Sequence, residues 1–264
     1  MKFTKMHGLG NDYVYVNTIS QNIKDPSETA KKLSDRHYGI GADGLILIGR
    51  SSDADFKMEI YNSDGSSAKM CGNGIRCVGK YVYEKGLTKK KILTVETPAG
   101  IKKLFLSVIE DQVKKITVDM GKPEIGEKHL PIQADGIVYD ASFISMGNHH
   151  IVIQTEDLKN LVIEKAGPKL EKHFFFPDRV NVEFIHVKNE NEIEVRVWER
   201  GSGETLACGT GACAAAIAYM ADQSDKREIK VLLKGGELLV RWEKEGNVYM
   251  TGPAEFVFEG EINV

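Results

Sequence analysis

Met70-Cys71-Gly72-Asn73-Gly74-Ile75-Arg76 and Ala207-Cys208-Gly209-Thr210-Gly211-Ala212 are two versions of one Cys-Gly-x-Gly turn, and their cysteines stand 137 residues apart in a chain of 264. At the same offset, without a gap, Gly10-Asn11 falls on Gly147-Asn148. Phe56, Met58, Ile60 and Tyr61 fall on Ile193, Val195, Val197 and Trp198. Asn62 falls on Glu199, nine residues before each cysteine. Chance would not keep both the glycines and the alternating apolar residues in one register from residue 10 to residue 74. The period is far longer than that of a solenoid repeat, so the chain reads as two copies of one domain.

Each copy has the same local pattern. Residues 56–61 (FKMEIY) and 193–198 (IEVRVW) alternate apolar and polar, as half-buried strands do. A Gly/Ser-rich loop follows each, then the Cys-Gly-x-Gly turn, then a helix: about 74–84, stopped by Gly86, and about 211–221, dominated by alanine. Small side chains suit a helix enclosed by strands, and each cysteine falls at or just before a helix N-terminus. Strand patterns are frequent and helices few. The expected fold is α/β of the α+β kind: two pseudo-symmetric domains, each with a mostly antiparallel sheet. The halves are set at 1–117 and 118–254. Strands are expected at 237–242, 248–251 and 256–262, and the final segment, 255–264, has the length to return to the first half.

The net charge of −3 argues against nucleic acid or an anionic membrane as the main partner. Lys89-Lys90-Lys91, the one compact basic run, reads as a solvated loop after Gly86. The opening MKFTKMHGLGNDYV lacks an apolar run of signal-peptide length. The apolar stretch 212–221 is too short to span a bilayer. A cytoplasmic chain is expected. Four cysteines in this length do not make a disulfide scaffold, and no Cys-x-x-Cys or other common zinc spacing occurs, so no metal is expected. Cys77 and Cys213 occupy different places in the repeat and read as small buried hydrophobes.

The turn itself suggests chemistry. A helix N-terminus carries unpaired N–H groups and partial positive charge, which stabilise a thiolate or a bound carboxylate. Gly72, Gly74, Gly209 and Gly211 let the backbone approach a ligand. Two such thiols suit removal of a proton from one side of a carbon and its return to the other, with one thiol ionised at the start. Among the flanking residues, spacing alone leaves two readings open. Asn11 and Asn148 also suit turns after glycine, and Asn62 and Asn181 share that ambiguity. Glu199-Arg200 also suits a surface ion pair. His150 is one of seven histidines, and a lone histidine is as readily a packing residue. The aromatic run 173–177 (HFFFP) reads as core or domain contact.

HGLGNDYV (7–14), YNSDGS (61–66), MCGNGIRC (70–77), MGN (146–148), DRVNV (178–182), ERGSGET (199–205) and ACGTGA (207–212) together resemble the diaminopimelate epimerase family, as does the closing GPAEFVFEGEI (252–262). The resemblance covers nearly the whole chain. It implies a pyridoxal-free isomerase that interconverts LL- and meso-2,6-diaminopimelate for lysine and, in bacteria, peptidoglycan. It implies two domains whose sheets curl around a central helix, and a homodimer with no cofactor. It makes Cys71 and Cys208 the acid/base thiols, and Gly72-Asn73 and Gly209-Thr210 the donors of backbone N–H groups. Asn11, Asn62, Asn148, Asn181 and Arg200 then surround the substrate, the Arg200 fork taking its distal carboxylate. Glu199 receives a substrate ammonium and, with His150, tunes a thiol. Two departures stand out: His149 replaces a frequent proline, leaving two adjacent histidines, and Gly44 follows Asp43 where many members have glutamine.

Two other readings compete. Proline or hydroxyproline racemase-like enzymes also use two cysteines, but their first motif typically carries histidine where this chain has Asn73. A thiol-redox or metal-binding protein is the third, with a Cys71–Cys208 disulfide as an inactive state.

Overall fold

The computed structural model describes residues 1–263 apart from 135, 224, 226 and 244, so position 264, the end of the expected final segment, lies outside the described residues. The chain divides into two compact units, Met1–Val118 with Gly252–Val264, and Asp119–Thr251.

The first unit opens with a hairpin, β1 (Lys2–Gly8) and β2 (Asn11–Asn17). Its two-residue loop places Leu9 and Gly10 at φ 56° and 83°, the left-handed pair that matches the twist of the strands. Helix α1 (Pro26–Ser34) follows, capped by the Asp25 carboxylate on the Glu28 N–H and started by Pro26. Then come β3 (Gly44–Gly49), β4 (Phe56–Asn62), β5 (Ser67–Ala68), helix α2 (Gly72–Glu84), and β6 (Ile92–Thr97), β7 (Gly100–Ile109) and β8 (Gln112–Gly121). The last strand of the chain, Glu255–Glu261, pairs with β1. From that edge the order is last strand, β1, β2, β3, β4, β6, β7, β8, with β5 also on β4. Only β2–β3 and β4–β6 are parallel.

The second unit contains β9 (Glu124–Ile125), β10 (Leu130–Ala134), β11 (Ile137–Ser145), β12 (His149–Gln154), α3 (Ile163–Glu171), β13 (Asn181–Asn189), β14 (Glu192–Glu199), β15 (Gly203–Thr205), α4 (Gly209–Met220), β16 (Glu228–Leu233), β17 (Gly236–Trp242) and β18 (Val248–Gly252). Its order is β10, β11, β12, β13, β14, β16, β17, β18, with β15 also on β14. The parallel pairs, β12–β13 and β14–β16, occupy the places of the parallel pairs in the first unit. The two units therefore share one topology. They differ at one edge: β10 fills in the second unit the place that β19, the Glu255–Glu261 strand, fills in the first.

The sheet of each unit curls around one helix. Every residue of α2 from Gly72 to Tyr83 is buried, and the helix touches β1, β2 and β7. Ile75, Val78 and Val82 are fully enclosed, each worth roughly 1.5–3 kcal/mol of apolar burial. Helix α4 touches β11 to β14, β16 and β17. Its alanines 214 to 216 and Ile217 have no exposure, the mark of a helix buried all round rather than on one stripe. Both helices start two residues earlier than the sequence pattern suggested, because each cysteine caps its helix directly.

The aromatic run at 173–177 is corrected by the structure. Phe176 is buried, but Phe174 and Phe175 are exposed and meet the His173 ring at a tilt and edge-on respectively. Of the lysine run, Lys90 pairs with Asp55 at 2.5 Å. Among the described residues no helix is long and apolar enough to cross a membrane.

Helix α3 lies on its own sheet through Gly167, where an added methyl would run into the Trp198 ring. That ring is also held by its Nε1–H on Glu171 Oε2 at 2.8 Å. Alanine normally gains about 1 kcal/mol over glycine inside a helix, whereas overpacking costs about 1–3 kcal/mol. Gly167→Ala is expected to lower the urea midpoint followed by tryptophan fluorescence; an equal or higher midpoint would mean that the ring yields.

Candidate active site

Each unit brings its sequence-selected residues to one end of its sheet. In the first, β2 and β3 start where β4 ends, with Gly44 in register with both Tyr13 and Asn62. In the second, β12 and β13 start where β14 ends, with His150 beside Asn181 and Val182 beside Trp198. The N-terminus of the enclosed helix carries its cysteine at that end.

Cys71 is the N-cap of α2, in extended backbone conformation at φ −139°. Its Sγ accepts the Gly74 N–H at 3.2 Å, and its S–H donates to Asn11 Oδ1 at 3.3 Å. The Asn11 amide in turn donates to Asp43 Oδ2 at 2.8 Å, which fixes its orientation. The buried Tyr13 phenol also meets Cys71, and burial raises its pKa well above the ordinary value. Gly74 has no room for a Cβ, because Ile46 Cδ1 lies 2.6 Å from where it would be. Asn73 is 2% exposed and its Oδ1 accepts from Arg76 Nη2 at 2.8 Å. Arg76, fully buried, also donates to the Gly72 and Pro253 carbonyls, each at 3.0 Å. Asn62 closes the loop after β4 through Ser66 Oγ at 3.0 Å.

Cys208 caps α4 in the same way, at φ −114°, with the Gly211 N–H on its Sγ at 3.3 Å. Thr210 Oγ1 lies 3.5 Å from the sulfur and accepts the Asn148 amide at 3.2 Å. Glu199 shares a hydrogen bond with the Cys208 thiol and accepts the Thr205 hydroxyl at 2.5 Å. Burial raises the Glu199 pKa. Burial also pushes the Cys208 thiol well up, and the charges of Glu199 and Glu183 push it further. Asn181 donates to the His149 carbonyl at 3.0 Å and accepts the Arg200 N–H at 2.9 Å, so it braces the turn that carries Arg200. The exposed Arg200 guanidinium rests on the Asp178 carbonyl at 2.9 Å.

The structure separates the two adjacent histidines. His149 is exposed and leans on Phe143, with ring centroids 5.2 Å apart. His150 is fully buried, and its Nδ1 lies 2.7 Å from Oε1 of Glu183, which is buried as completely. Gly44 cannot carry a side chain: a Cβ there would collide with the Tyr61 carbonyl and come within 2.9 Å of Tyr13 Cε1.

Sequence reasoning missed Tyr13, Arg76 and Glu183. The repeat register held the signal for two of them. Carried to residues 13 and 46, the offset sets Tyr13 against His150 and Ile46 against Glu183. A carboxylate where the first copy holds isoleucine marks a departure from packing.

Chemically, each unit offers a sulfur at a helix N-terminus with glycine N–H groups around it, suited to exchange a proton beside a bound anion. All four cysteines are thiols. Among the described residues no group of three His, Cys, Asp or Glu could hold a metal ion.

A family model described as diaminopimelate epimerase matches residues 3–126 and 142–257. The chain is 50% identical over 277 residues to a diaminopimelate epimerase of Acetivibrio thermocellus, covering 100% of this chain and 99% of that one. It is 52% identical over 265 residues to that of Parabacteroides distasonis, covering 100% and 98%. Among solved structures it is similar to a PhzF-family phenazine biosynthesis protein of Bacillus anthracis, with a TM-score of 0.80 at 18% identity over 100% of this chain and 99% of that one. A probable proline racemase of Agrobacterium radiobacter gives 0.75 at 18% identity over 100% and 93%. At such identity these two likenesses establish the fold.

Cys77 is a fully buried residue of α2, and burial pushes its thiol up to about 12. At pH 8 only about one part in ten thousand of such a thiol is ionised. Iodoacetamide at pH 8 should therefore leave Cys77 unmodified in the folded protein and label it after denaturation; peptide mass spectrometry reads both, and rapid native labelling would contradict the burial.

Proposed function

The chain belongs to the diaminopimelate epimerase family, and from that premise we propose that it interconverts LL- and meso-2,6-diaminopimelate by a two-base mechanism with Cys71 and Cys208 as the bases. The observation that carries the reading is the matched pair of thiol N-caps in a chain half identical, end to end, to epimerases of that name. One thiolate takes the α-proton, leaving an α-carbanion. The other thiol gives its proton to the opposite face. One proton enters and one leaves, so no redox partner is needed, and the reaction as proposed runs without a cofactor.

The first-turn N–H groups at Gly72-Asn73 and Gly209-Thr210 are the proposed receptors for the α-carboxylate, where negative charge grows as the proton leaves. A preorganised donor at such a position contributes on the order of 10²–10³ in rate. Asn11, Asn62, Asn148 and Asn181 supply amides to a substrate with two amino-acid ends, Glu199 accepts its ammonium and Arg200 its distal carboxylate. Gly44 leaves no side chain to help on its strand. The Tyr13 phenol, close to Cys71, is an addition to that set. The product serves lysine and peptidoglycan synthesis. Thiols that must stay reduced fit the cytoplasm, and the homodimer implied by the family resemblance belongs to the same reading.

Purified protein with LL-diaminopimelate in D2O, without added cofactor and under reducing conditions, should yield meso product carrying α-deuterium by NMR, while proline is left unchanged. Absence of both exchange and inversion would reject the proposal. Cys71→Ala and Cys208→Ala should each cut turnover by about 10²–10⁴-fold or more with circular dichroism unchanged; full activity in either removes that residue from the chemistry. Arg200→Lys keeps the charge but loses the planar fork, so KM should rise about tenfold; unchanged kinetics would mean that the distal carboxylate is held elsewhere.

A further inference from the structure

The two copies differ most where nothing in the proposed chemistry has yet used the difference. Beneath the first turn of α2 the positions are Tyr13 and Ile46. At the same places beneath α4 are His150 and Glu183, both without solvent exposure. Glu183 reaches the sulfur's side of the helix. An added Gly211 Cβ would lie 2.5 Å from Glu183 Oε1 and 3.3 Å from Cys208 Sγ, so carboxylate and sulfur approach each other across the space that Gly211 leaves empty. His150 holds that carboxylate in place at 2.7 Å. The other atoms of the pair, His150 Nε2 and Glu183 Oε2, have no hydrogen-bond partner among the described residues. A polar pair this deeply buried costs free energy that one hydrogen bond offsets only in part, and apolar replacements are often as stable; Ile46 is such a residue in the first copy.

The remaining charged groups near α4 leave this pair and Glu199 in control of the sulfur. On β11, β16 and β17, Asp140 pairs with His129, Lys230 with Glu192 and Glu237, and Arg241 with Glu243, all at the surface, and Glu228 is exposed. On β12, β13 and β14 the groups near the thiol are His150, Glu183 and Glu199.

Resting on the epimerase reading, we infer that Glu183 is a positioning residue for the reaction: seated by His150 under the first turn of α4, its carboxylate keeps the proton on Cys208 between turnovers. In each forward turnover Cys71 first gives its proton to solvent and the resulting thiolate takes the α-proton, while Cys208 loses its own to the carbanion. The starting form is restored when Cys208 takes up a proton. Burial and the neighbouring carboxylates raise the Cys208 thiol in the direction this requires.

The test follows alkylation of Cys71 and Cys208 by iodoacetamide separately, by peptide mass spectrometry, from pH 5 to 10 without substrate. The midpoint of each rate-against-pH curve reports ionisation whatever the absolute rate. In the wild type the Cys208 midpoint should lie above that of Cys71. Glu183→Gln should lower the Cys208 midpoint by about one pH unit, a tenfold gain in reactivity on the rising limb, and leave Cys71 unmoved. Glu183→Asp, which keeps the charge, should restore it. An unmoved Cys208 midpoint in Glu183→Gln, an equal shift of both cysteines, or failure of Glu183→Asp to restore overturns the inference. Should Glu183→Gln not fold, the wild-type order decides: Cys208 ionising at or below the pH of Cys71 overturns it. Turnover of diaminopimelate by the wild type is measured alongside, and its absence would remove the substrate reading while leaving the alkylation result to stand or fall alone.

Discussion

A sulfur atom accepting the third N–H of a helix is the contact around which each half of this protein is arranged. At Gly74 and Gly211 the N–H reaches Sγ at 3.2 and 3.3 Å. The bond requires the cysteine to leave helical backbone, which sets the extended N-cap; the third helical residue is glycine in both halves. Ile46 Cδ1 and Glu183 Oε1 stand 2.6 and 2.5 Å from where a Cβ would lie on those glycines, so a larger residue would have to displace them. With the helix drawn in that far, its body must be small or enclosed, and the sheet closes over it. The same geometry sets each sulfur at the first turn of its helix, where partial positive charge is concentrated. Fold and reactivity here follow from one local constraint.

Duplication supplied the scaffold, and substitution at a few register positions distinguishes the ends. Asn62, Tyr13 and Ile46 in the first copy correspond to Glu199, His150 and Glu183 in the second. In these three pairs the second copy holds the histidine and both carboxylates, on the three neighbouring strands that support Cys208. Burying carboxylates without full compensation is costly, and burial accordingly raises Glu183 and Glu199 above the usual carboxylate range. A symmetric pair of thiols would have no reason to differ in protonation. This arrangement gives one of them a reason.

The repeat made the fold class legible. Period-2 strands and glycine turns at a constant offset are strong local signals, and the two enclosed helices came with them. Helices α1 and α3 obey the same offset, starting at Pro26 and Ile163, but their sequences share little: Asp25 caps the first by its side chain and Val162 cannot cap the second that way. Their equivalence is carried by packing rather than by residue type. At the site, the cysteines announced themselves through their glycines, whereas Glu183 did not, because one charge within an apolar strand reads as a solvent-facing residue until the sheet shows otherwise. Phe174 and Phe175 misled in the opposite sense: hydrophobicity argues for burial, but the short segment after α3 turns them outward. Which of His149 and His150 faces inward was decided by strand alternation, which depends on a register that adjacent identical residues cannot reveal.

Chain topology adds a further dependence. The second unit is continuous and closes its edge with its own β10. The first unit borrows β19 from the far end of the chain, so its sheet is complete only when residues at both termini are in place. The link reaches the candidate site through Arg76. This fully buried guanidinium bonds the Gly72 carbonyl and the Asn73 side chain on one side and the Pro253 carbonyl, just before β19, on the other. Arginine serves here because its planar fork can satisfy several acceptors at once and stays charged when buried. The orientation of the Cys71 turn therefore depends on the last residues of the chain, while the Cys208 turn is set within one contiguous segment. Unequal tethering of two like turns is a second way in which this duplicated fold keeps its halves distinct.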